Sequence, residues 1–431
     1  MIPITLADGV QEKALFAKLQ ARAAETDSKV TEIVQGILAN VRQNGDTALR
    51  EYAECFDHIR MESFAVPQEA IDAAVVSLDS QLRSSMENAA RNITDFHKRQ
   101  LRQSFVDLRP DGTILGQRFK ALRRVGLYVP GGTGGSTPLV SSVLMNALPA
   151  KVAGVPELVM CTPPGKDGLP APALLAAAAI AGVDKVYAVG GAQAIAAMVY
   201  GTESIPKADK VVGPGNIFVA TAKKLLYGLV DIDMIAGPSE ILVIADETAN
   251  PAWLAADLLS QAEHDKLASA VLLCTSRAIL EATAAELEAQ LAALPRSEIA
   301  AEALRNYGAF VLFQNVEAAI RYANLFAPEH LELCVRNPME LLGAIENAGS
   351  IFLGHYSPEP VGDYYAGANH VLPTGGTARF FSPLSVDDFV RKTQFISYTR
   401  EALAAAKEDI LTLAAAETLF AHGNAVAIRF S

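Results

Sequence analysis

Strand-like and helix-like segments alternate along the chain from Arg124 onward, and this alternation constrains the fold more than any other feature of the sequence. The strand-like runs are short and apolar, and several of them end in glycine-rich turns. This rhythm is typical of βαβ units, which build mostly parallel sheets with helices on both faces. The Ala-Gly-Pro sequence at 236–238 divides the series in two. We therefore predict an α/β protein with two Rossmann-like units.

The predicted strands form one group on each side of that division. The first group lies at 125–129, 157–161, 185–189 and 210–212. The second group lies at 240–245, 268–274, 309–313, 330–335 and 350–353. The residues before 124 are mainly helical in pattern, because apolar side chains recur there every three or four positions.

We expect the chain to divide into four parts. A helical N-terminal arm covers 1–24, and an alanine-rich tail, helical from 400 to 421, covers 381–431. One α/β domain combines 25–125 with 238–380, and the other comprises 126–237. More than one domain is expected at 431 residues, because a single hydrophobic core stops growing beyond about 250–300 residues.

Composition and charge exclude several classes of function. The formal net charge is −12, which argues against a nucleic-acid or anionic-membrane surface, because both need a basic patch. The least polar run, 171–183, is too short to span a bilayer, and the first residues lack the pattern of an export signal. The cysteines Cys55, Cys161, Cys274 and Cys334 are widely spaced, so we expect all four to be buried and reduced, as in a cytoplasmic protein.

Four residues in the last two-fifths of the chain offer a mixed set of metal ligands. Gln261 and His264 are three positions apart, so they share one face if the segment is helical. Taken alone, this pair is also what an ordinary polar helix face contains. Asp363 and His422 add a carboxylate and a second imidazole. Two oxygen and two nitrogen donors suit zinc, which cobalt or manganese can replace.

Glu329 and His330 are candidates for acid–base chemistry. Pro328 precedes them and is expected to end a helix over 316–326, since the residue before proline avoids helical geometry. Adjacent strand residues point to opposite faces, so both side chains line one pocket only if Glu329 lies in the turn. A histidine titrates near neutrality and a carboxylate can activate water. The alternative is a turn carboxylate beside a solvated histidine.

The remaining histidines have simpler interpretations. His58 and His97 lie among charged helical residues and are expected at the surface. His355 and His370 lie on either side of the predicted carboxylate ligand, and either can replace a predicted ligand. Ser239 follows a Gly-Pro pair and is a structural turn residue unless it faces a cleft.

Three glycine-rich turns follow predicted strands, at 130–136, 190–193 and 213–216. In open α/β sheets, ligands bind at the carboxyl ends of strands, where glycines let a dinucleotide approach the backbone closely. However, the G-x-G-x-x-G fingerprint is absent, and glycine turns are also ordinary in α/β folds. The turns by themselves leave nucleotide binding open.

A series of collinear motifs along nearly the whole chain resembles the histidinol dehydrogenase family, which completes histidine biosynthesis. The motifs are Gly126-Leu-Tyr-Val-Pro-Gly-Gly-Thr, Pro149-Ala-Lys-Val-Ala-Gly-Val, Gly190-Gly-Ala-Gln-Ala-Ile-Ala, Gly213-Pro-Gly-Asn, Ala236-Gly-Pro-Ser-Glu, Gln261-Ala-Glu-His, Ala327-Pro-Glu-His-Leu-Glu, Gly362-Asp-Tyr, Asn369-His-Val-Leu-Pro-Thr and Ala421-His. The resemblance implies an NAD- and zinc-dependent homodimer whose C-terminal segment crosses to the partner.

The resemblance also gives each candidate residue a role. The implied zinc ligands are Gln261, His264, Asp363 and His422, and the proton-handling pair is Glu329 and His330. NAD would contact Tyr128, Gln193 and Asn216, so 126–237 would be the NAD-binding domain. The implied substrate contacts are Ser239, Gln261, His264, His330, Asp363, Glu417 and His422. The crossing tail would bring Glu417 and His422 into the neighbouring subunit's site.

The activity implied by the resemblance is a four-electron oxidation of L-histidinol to L-histidine through bound L-histidinaldehyde, with reduction of two NAD⁺. The sequence departs from the family pattern at two places. Ala368 replaces the usual proline before Asn-His, and the loop after Thr133 does not have the commonest sequence of the family. A related zinc and NAD dehydrogenase for another small alcohol is therefore one alternative, and a zinc hydrolase is another. No nucleic-acid or membrane partner is expected.

Overall fold

The fold is described from a computed structural model, which defines residues 2–21, 28–131, 138–235 and 237–431. The glycine-rich turn at 132–137 and Ala236, at the predicted division between the two units, lie outside the described residues. Among the helices of the described ranges, none is long and apolar enough to cross a membrane.

The regular elements before residue 105 are almost all helices, whereas strands and helices mostly alternate from 124 to 353. The helices are α1 (Gln11–Ala21), α2 (Ser28–Asn44), α3 (Asp46–Tyr52), α4 (Gln68–Ser77), α5 (Ser80–Lys98), α6 (Val140–Val152), α7 (Pro172–Ala181), α8 (Gly191–Tyr200), α9 (Ile217–Leu226), α10 (Pro251–Ala262), α11 (Arg277–Leu291), α12 (Ser297–Tyr307), α13 (Val316–Phe326), α14 (Pro338–Leu341), α15 (Glu359–Tyr364), α16 (Arg400–Ala416) and α17 (Phe420–Ala427). The strands are β1 (Ile4–Leu6), β2 (Phe105–Leu108), β3 (Ile114–Ala121), β4 (Arg124–Tyr128), β5 (Glu157–Thr162), β6 (Lys185–Ala188), β7 (Lys210–Val212), β8 (Asp231–Ile232), β9 (Glu240–Ala245), β10 (Ser269–Cys274), β11 (Gly308–Leu312), β12 (His330–Cys334), β13 (Ser350–Leu353) and β14 (Val390–Ser397).

The larger sheet is parallel, with strand order β1-β11-β10-β9-β12-β13. Its central strands are buried on both faces, because alternate side chains enter two separate clusters. Ile241 and Val243 of β9 pack with α10, α11 and α12, whereas Leu242 and Ile244 pack with α13. Continuous apolar strands of this kind are what a doubly covered parallel sheet requires.

The second parallel sheet has the order β6-β5-β4-β7-β8. The chain winds outward from β4 to β6, then returns to the other side of β4 and continues to β8. The strand order therefore reverses between β4 and β7, and such a reversal point is where open α/β sheets bind ligands. The two parallel sheets confirm the predicted fold class.

Buried side chains of the N-terminal helices belong with this second sheet. One hydrophobic cluster joins Val34 of α2, Leu49 of α3, Ile71 of α4 and Ile93 of α5 to β4 and its neighbours. The prediction placed 25–125 in one domain with the larger sheet. Helical periodicity cannot choose between the two sheets, because it identifies a buried face without identifying what covers it. The domain boundaries themselves stay a prediction.

A third, antiparallel sheet pairs distant parts of the chain and was not predicted. Its order is β14-β3-β2, so the start of the expected helical tail is a strand of eight residues. The tail then continues in two helices rather than one. Between α16 and α17, Thr418 adopts a positive φ of 57°, which breaks the helix. The crossing of this tail to a second subunit stays a prediction.

Candidate functional site

The acid–base pair lies at the amino end of β12, beside the amino end of β9. Helix α13 ends at Ala327, which adopts a left-handed conformation, and His330 then begins β12. Glu329 precedes the strand, as its proposed role requires, and its Oε2 accepts a hydrogen bond of 2.9 Å from the Glu240 amide. Both side chains are buried, so the prediction of a solvated histidine is excluded.

The hydrogen bonds of His330 define which ring nitrogen is free. Nδ1 lies 3.1 Å from the carbonyl oxygen of Glu240, and a carbonyl can only accept, so Nδ1 carries the hydrogen. Nε2 is buried without a hydrogen-bond partner in the described part of the chain. Nε2 also lies 3.9 Å from Oδ1 of Asp363. The imidazole therefore presents a bare acceptor nitrogen towards the predicted metal ligands.

Three ligand side chains converge next to this imidazole. Those of His264, Glu359 and Asp363 have potential ligand atoms within 4.8 Å of one another. The predicted members His264 and Asp363 are thus together, although 99 positions separate them in the sequence. Glu359 was not predicted, because it lies among Ser-Pro and Pro-Val neighbours that read as an ordinary loop. In the structure, it starts the short helix α15, which also carries Asp363.

Gln261 has the most unusual environment of the predicted ligands. It lies in the last turn of α10, its residue is 0% exposed, and both its side-chain Oε1 and Nε2 lack a hydrogen-bond partner among the described residues. A buried amide left without partners costs roughly 1–3 kcal/mol. A bound cation would satisfy the Oε1 atom, so this orphaned amide fits a metal site.

Helix α10 and the turn after it position the first two predicted ligands. Asn250 caps the helix by accepting a hydrogen bond of 2.9 Å from the Ala252 amide. His264 lies beyond the helix, in a turn closed by its own amide donating to the Gln261 carbonyl at 3.2 Å. The shared face was expected only if the segment is helical, and it is helical at Gln261 but not at His264. Ser260 joins this helix to α15, since its hydroxyl donates to Glu359 at 3.2 Å.

Burial shifts the pKa values of the clustered groups in the direction of the neutral forms. It raises the pKa of Glu329 well above its ordinary range, that of Glu359 to about 8 and that of Asp363 to about 6. It lowers the pKa of His330 to about 3. Charges are costly in this enclosure unless a counter-charge is present. A divalent cation would provide that counter-charge.

Two further residues lie next to this cluster, and the sequence did not predict that position for them. His370, considered only as a replacement ligand, contacts the Asp363 backbone carbonyl through Nδ1 at 3.0 Å. Glu332, on the same face of β12 as His330, accepts a 2.8 Å hydrogen bond from the Glu359 amide and so fixes the start of α15. A carboxylate two positions from a candidate base in a strand was the available signal, because such residues share a face.

The remaining predicted substrate and metal residues are less closely tied to the cluster. Ser239 immediately precedes β9, whose first residue contacts both Glu329 and His330. His422 and Glu417 are exposed in the C-terminal tail. Within the described ranges, His422 is not part of the close group formed by His264, Glu359 and Asp363.

Two other residues have a solvent exposure that differs from the prediction. Cys55 is exposed, whereas Cys161, Cys274 and Cys334 are buried free thiols, so the expectation of four buried cysteines is wrong for Cys55. It lies in a π-helical turn that was not anticipated. His97 is buried rather than at the surface, because α5 turns that side toward α6 and its Nδ1 contacts the Ile93 carbonyl at 2.8 Å.

A cavity of about 760 Å³ opens at the carboxyl ends of the second parallel sheet. Its lining includes the three residues predicted to contact NAD: Tyr128, Gln193 and Asn216. Tyr128 ends β4 and accepts a hydrogen bond of 3.1 Å from the Gly191 amide, which begins α8. The cavity therefore lies at the point where the strand order reverses. Its volume is that of a ligand site rather than a packing defect.

The glycine turns around this cavity are required by close contacts. Gly191 has a positive φ of 66°, and an added Cβ would lie 2.6 Å from Gln193 Oε1. The Asn216 side chain caps α9 by accepting from the Phe218 and Val219 amides at 3.1 and 3.2 Å. These two hydrogen bonds use only the Asn216 oxygen, so we expect its side-chain nitrogen to be the atom that a ligand contacts. The turns thus combine exposed backbone with a helix start, as phosphate-bearing ligands prefer.

Comparisons with known proteins agree along nearly the entire length. A sequence model of the family described as histidinol dehydrogenase matches residues 20–430. Histidinol dehydrogenase of Clostridium acetobutylicum is 52% identical over 415 residues, covering 96% of each chain. That of Listeria innocua is 51% identical over 419 residues, covering 97% of each.

A solved structure gives the same result for the fold. The crystal structure of histidinol dehydrogenase from Elizabethkingia anophelis superposes with a TM-score of 0.93 at 39% identity. It covers 99% of this chain and 98% of that one. Similarity at this level extends over both parallel sheets, the third sheet and the tail. The chain therefore belongs to the histidinol dehydrogenase family.

Proposed function

We propose that the protein oxidises L-histidinol to L-histidine in two steps at one site, through bound L-histidinaldehyde, with two NAD⁺ reduced. The balanced reaction consumes one water and releases three protons. The observation that supports it most is the cluster of His264, Glu359 and Asp363 beside the free Nε2 of His330. Gln261, three positions before His264, is buried and has no side-chain partner among the described residues. A metal set and a poised base occupy one enclosure.

Zinc would be held by Gln261, His264, Asp363 and His422 in this proposal, with the Glu359 carboxyl alongside. The mixed nitrogen and oxygen donors match zinc, and cobalt or manganese would also be accepted. When bound, the cation supplies a grip on the amino and imidazole nitrogens of the substrate, which fixes the reacting carbon. The Asp363 carboxyl, as a ligand, would then be stable as an anion.

His330 acts as the base for the alcohol in the first oxidation. Because its Nδ1 hydrogen points at the Glu240 carbonyl, only Nε2 can accept the alcohol proton. Burial lowers the pKa of this imidazole, so it is neutral and able to accept throughout the neutral range. The Glu240 carbonyl then stabilises the imidazolium through the same hydrogen bond.

Glu329 serves the second oxidation by taking a proton from the water that adds to the bound aldehyde. Its Oε2 is oriented by the Glu240 amide, so one backbone residue positions both proton-handling groups through its two polar atoms. His330 then accepts a proton from the hydrated aldehyde as it did from the alcohol. The enclosure retains the reactive aldehyde between the steps.

NAD⁺ would bind in the cavity at the second sheet, contacting Tyr128, Gln193 and Asn216. It accepts hydride once in each oxidation. The position supports this assignment, because the turns at 190–193 and 213–216 lie at the carboxyl ends of parallel strands where the strand order reverses.

The proposal includes a homodimer with shared sites. His422 and Glu417 are exposed in the tail, and His422 is not part of the close three-residue ligand group in the described residues. A tail that crosses to the partner would deliver both residues to the partner's site. A cytoplasmic location is part of the same proposal, in keeping with the free buried thiols.

Stoichiometry provides the test. With NAD⁺ in excess, the NADH formed, measured by its absorbance, should reach two molecules per histidinol consumed. Histidine should be the product. A yield of one NADH per histidinol, with accumulated aldehyde, would contradict the double oxidation. Faster turnover of another alcohol would contradict histidinol as the substrate. A zinc hydrolase, the less favoured alternative, would leave absorbance unchanged and would give the NAD cavity no role.

A further inference from the structure

A buried lysine–aspartate pair closes around the peptide of Gly213, in the loop that follows β7. The Lys223 ammonium donates a hydrogen bond of 2.9 Å to the Gly213 carbonyl. The Asp233 carboxylate accepts one of 2.8 Å from the Gly213 amide. Lys223 and Asp233 also form an ion pair with each other, and their side chains are only 3% and 2% exposed. Both backbone polar groups of one residue are thus held by the two members of one ion pair.

The backbone at Gly213 is closely packed against its neighbours. Gly213 has a φ of 118°, and an added Cβ would lie 2.0 Å from the carbonyl oxygen of Tyr128. The loop therefore passes against the end of β4 with no room for a side chain. Backbone this close to a neighbouring strand needs fixed partners, because a left-handed glycine has many other conformations available.

The loop that contains Gly213 leads into the lining of the proposed NAD cavity. Three positions after Gly213, Asn216 lines the cavity and caps α9, the helix that carries Lys223. Tyr128, against which Gly213 lies, lines it from the other side. Displacement of the Gly213 peptide would therefore move the Asn216 amide relative to the Tyr128 ring.

We propose that Lys223 and Asp233 are positioning residues for the NAD site, set beneath it and acting through the Gly213–Asn216 loop. This inference rests on the proposed function, since it assigns NAD to that cavity. Neither Lys223 nor Asp233 lines the cavity. It fixes the distance between the two walls of the cavity, so it determines the affinity for NAD⁺ rather than the chemistry at His330.

The pair places two opposite charges where an unpaired charge would be costly. Removing one member of a buried ion pair leaves the other uncompensated, whereas neutral groups can keep the same hydrogen bonds. Asp233 additionally accepts a 2.7 Å hydrogen bond from the Met234 amide. The carboxylate would thus keep two amide donors if Lys223 were replaced, so Lys223 is the better member to change.

The test compares Lys223→Met with the Lys223→Gln/Asp233→Asn double variant in the full-length, metal-loaded protein. NAD⁺ affinity is measured by direct calorimetric titration, and KM and kcat are measured separately. We expect Lys223→Met to weaken NAD⁺ binding on the order of tenfold, with kcat at saturating NAD⁺ and KM for histidinol unchanged. The double variant leaves no uncompensated charge, and the asparagine oxygen can still accept from the Gly213 amide, so it should recover most of the affinity.

Lys210→Met is the matched control. Lys210 is another buried lysine of the same sheet, 4% exposed and paired with Asp231 at 2.9 Å, but it starts β7 and so lies at the opposite end of that strand from Gly213. This variant should lower the melting temperature and leave the NAD⁺ dissociation constant unchanged. An equal loss of affinity in Lys210→Met, or unchanged affinity in Lys223→Met, would overturn the inference. Failure of the wild-type protein to bind NAD⁺ would instead overturn the proposed function.

Discussion

At the scale of single residues, the site depends on polar groups that stay unsatisfied within the described chain. Gln261 has two orphaned side-chain atoms, and His330 has a free Nε2. Native proteins leave few such groups, and each one indicates a missing partner. The Glu240 peptide, in contrast, is fully engaged by Glu329 and His330. Ready acceptors therefore face the space where substrate and cation are proposed to bind.

Replacing Glu329 with glutamine separates the two oxidations. The variant keeps an acceptor for the Glu240 amide but cannot take a proton from water. We expect oxidation of supplied histidinaldehyde to fall by about 10²–10⁴-fold, while formation of aldehyde from histidinol is largely retained. Single-turnover measurements with each substrate check this. Loss of aldehyde formation with intact aldehyde oxidation would reverse the assigned roles.

The pH dependence of the second oxidation follows from the same carboxyl. Burial raises the pKa of Glu329 well above its ordinary value, so the group is protonated, and inactive as a base, until the pH exceeds that raised value. The rate with supplied aldehyde should therefore rise with pH over a range higher than an ordinary carboxyl would give. Initial rates in buffers of increasing pH measure this limb. In Glu329→Gln the limb should be absent, and its persistence would assign it to another group.

Gln261→Leu distinguishes a metal ligand from a structural amide. Leucine has a similar volume and no polar atoms, so the metal-free variant should be as stable as the wild type, or more stable by about 1 kcal/mol. Zinc affinity should fall at least about tenfold. Thermal unfolding with and without zinc, together with a metal titration, checks both parts. Destabilisation of the metal-free form with unchanged zinc affinity would show that the amide is structural.

At the scale of elements, short segments fix the positions of the reacting groups. Helix α15 carries Glu359 and Asp363, and its first amide is held by Glu332 of β12. The turn before β12 is held from the other side by β13, because the Ser350 amide donates to the Glu329 carbonyl at 2.8 Å. The geometry of the site is thus set by how β9, β12, β13 and α15 meet.

Gly349→Ala tests that meeting. An added Cβ would lie 2.5 Å from the Glu329 carbonyl oxygen, so the turn that carries Glu329 must move. We expect a loss of about 1–3 kcal/mol in stability and a larger fall in the aldehyde step than in the alcohol step. Denaturant unfolding and the two single-turnover rates measure this. Gly343→Ala is the control, since its Cβ would meet nothing within 4 Å. Equal effects of the two substitutions would argue against local crowding.

At the scale of the whole molecule, the two proposed sites lie at opposite ends of the strands in their respective sheets. The proposed NAD cavity lies at the carboxyl ends of β4 and β7, whereas Glu240 and His330 begin β9 and β12. The antiparallel sheet links the second unit to the tail, through β3 and β14. The tail itself ends in α16 and α17, which pack on each other and present His422 to the outside.

Coexpression of His330→Ala and His422→Ala chains tests whether sites are shared. If the tail crosses, a mixed dimer contains one site with both mutations and one site with neither. About a quarter of the wild-type activity should then return, because about half of the dimers are mixed. Each variant expressed alone should be inactive. No recovery in isolated mixed dimers would place His422 in its own chain's site.

The sequence by itself determined the local features: the apolar strands, the glycine turns, the proline that precedes Glu329, and the family motifs that contain the candidate ligands. These follow from periodicity and steric rules that act over a few residues. Tertiary structure decided which helices cover the second sheet, the pairing of β14 with β3, the burial of His97, and the place of Glu359 beside Asp363 and His264. Those results depend on contacts between residues far apart in the chain, and a local pattern identifies a face that needs a partner without identifying the partner.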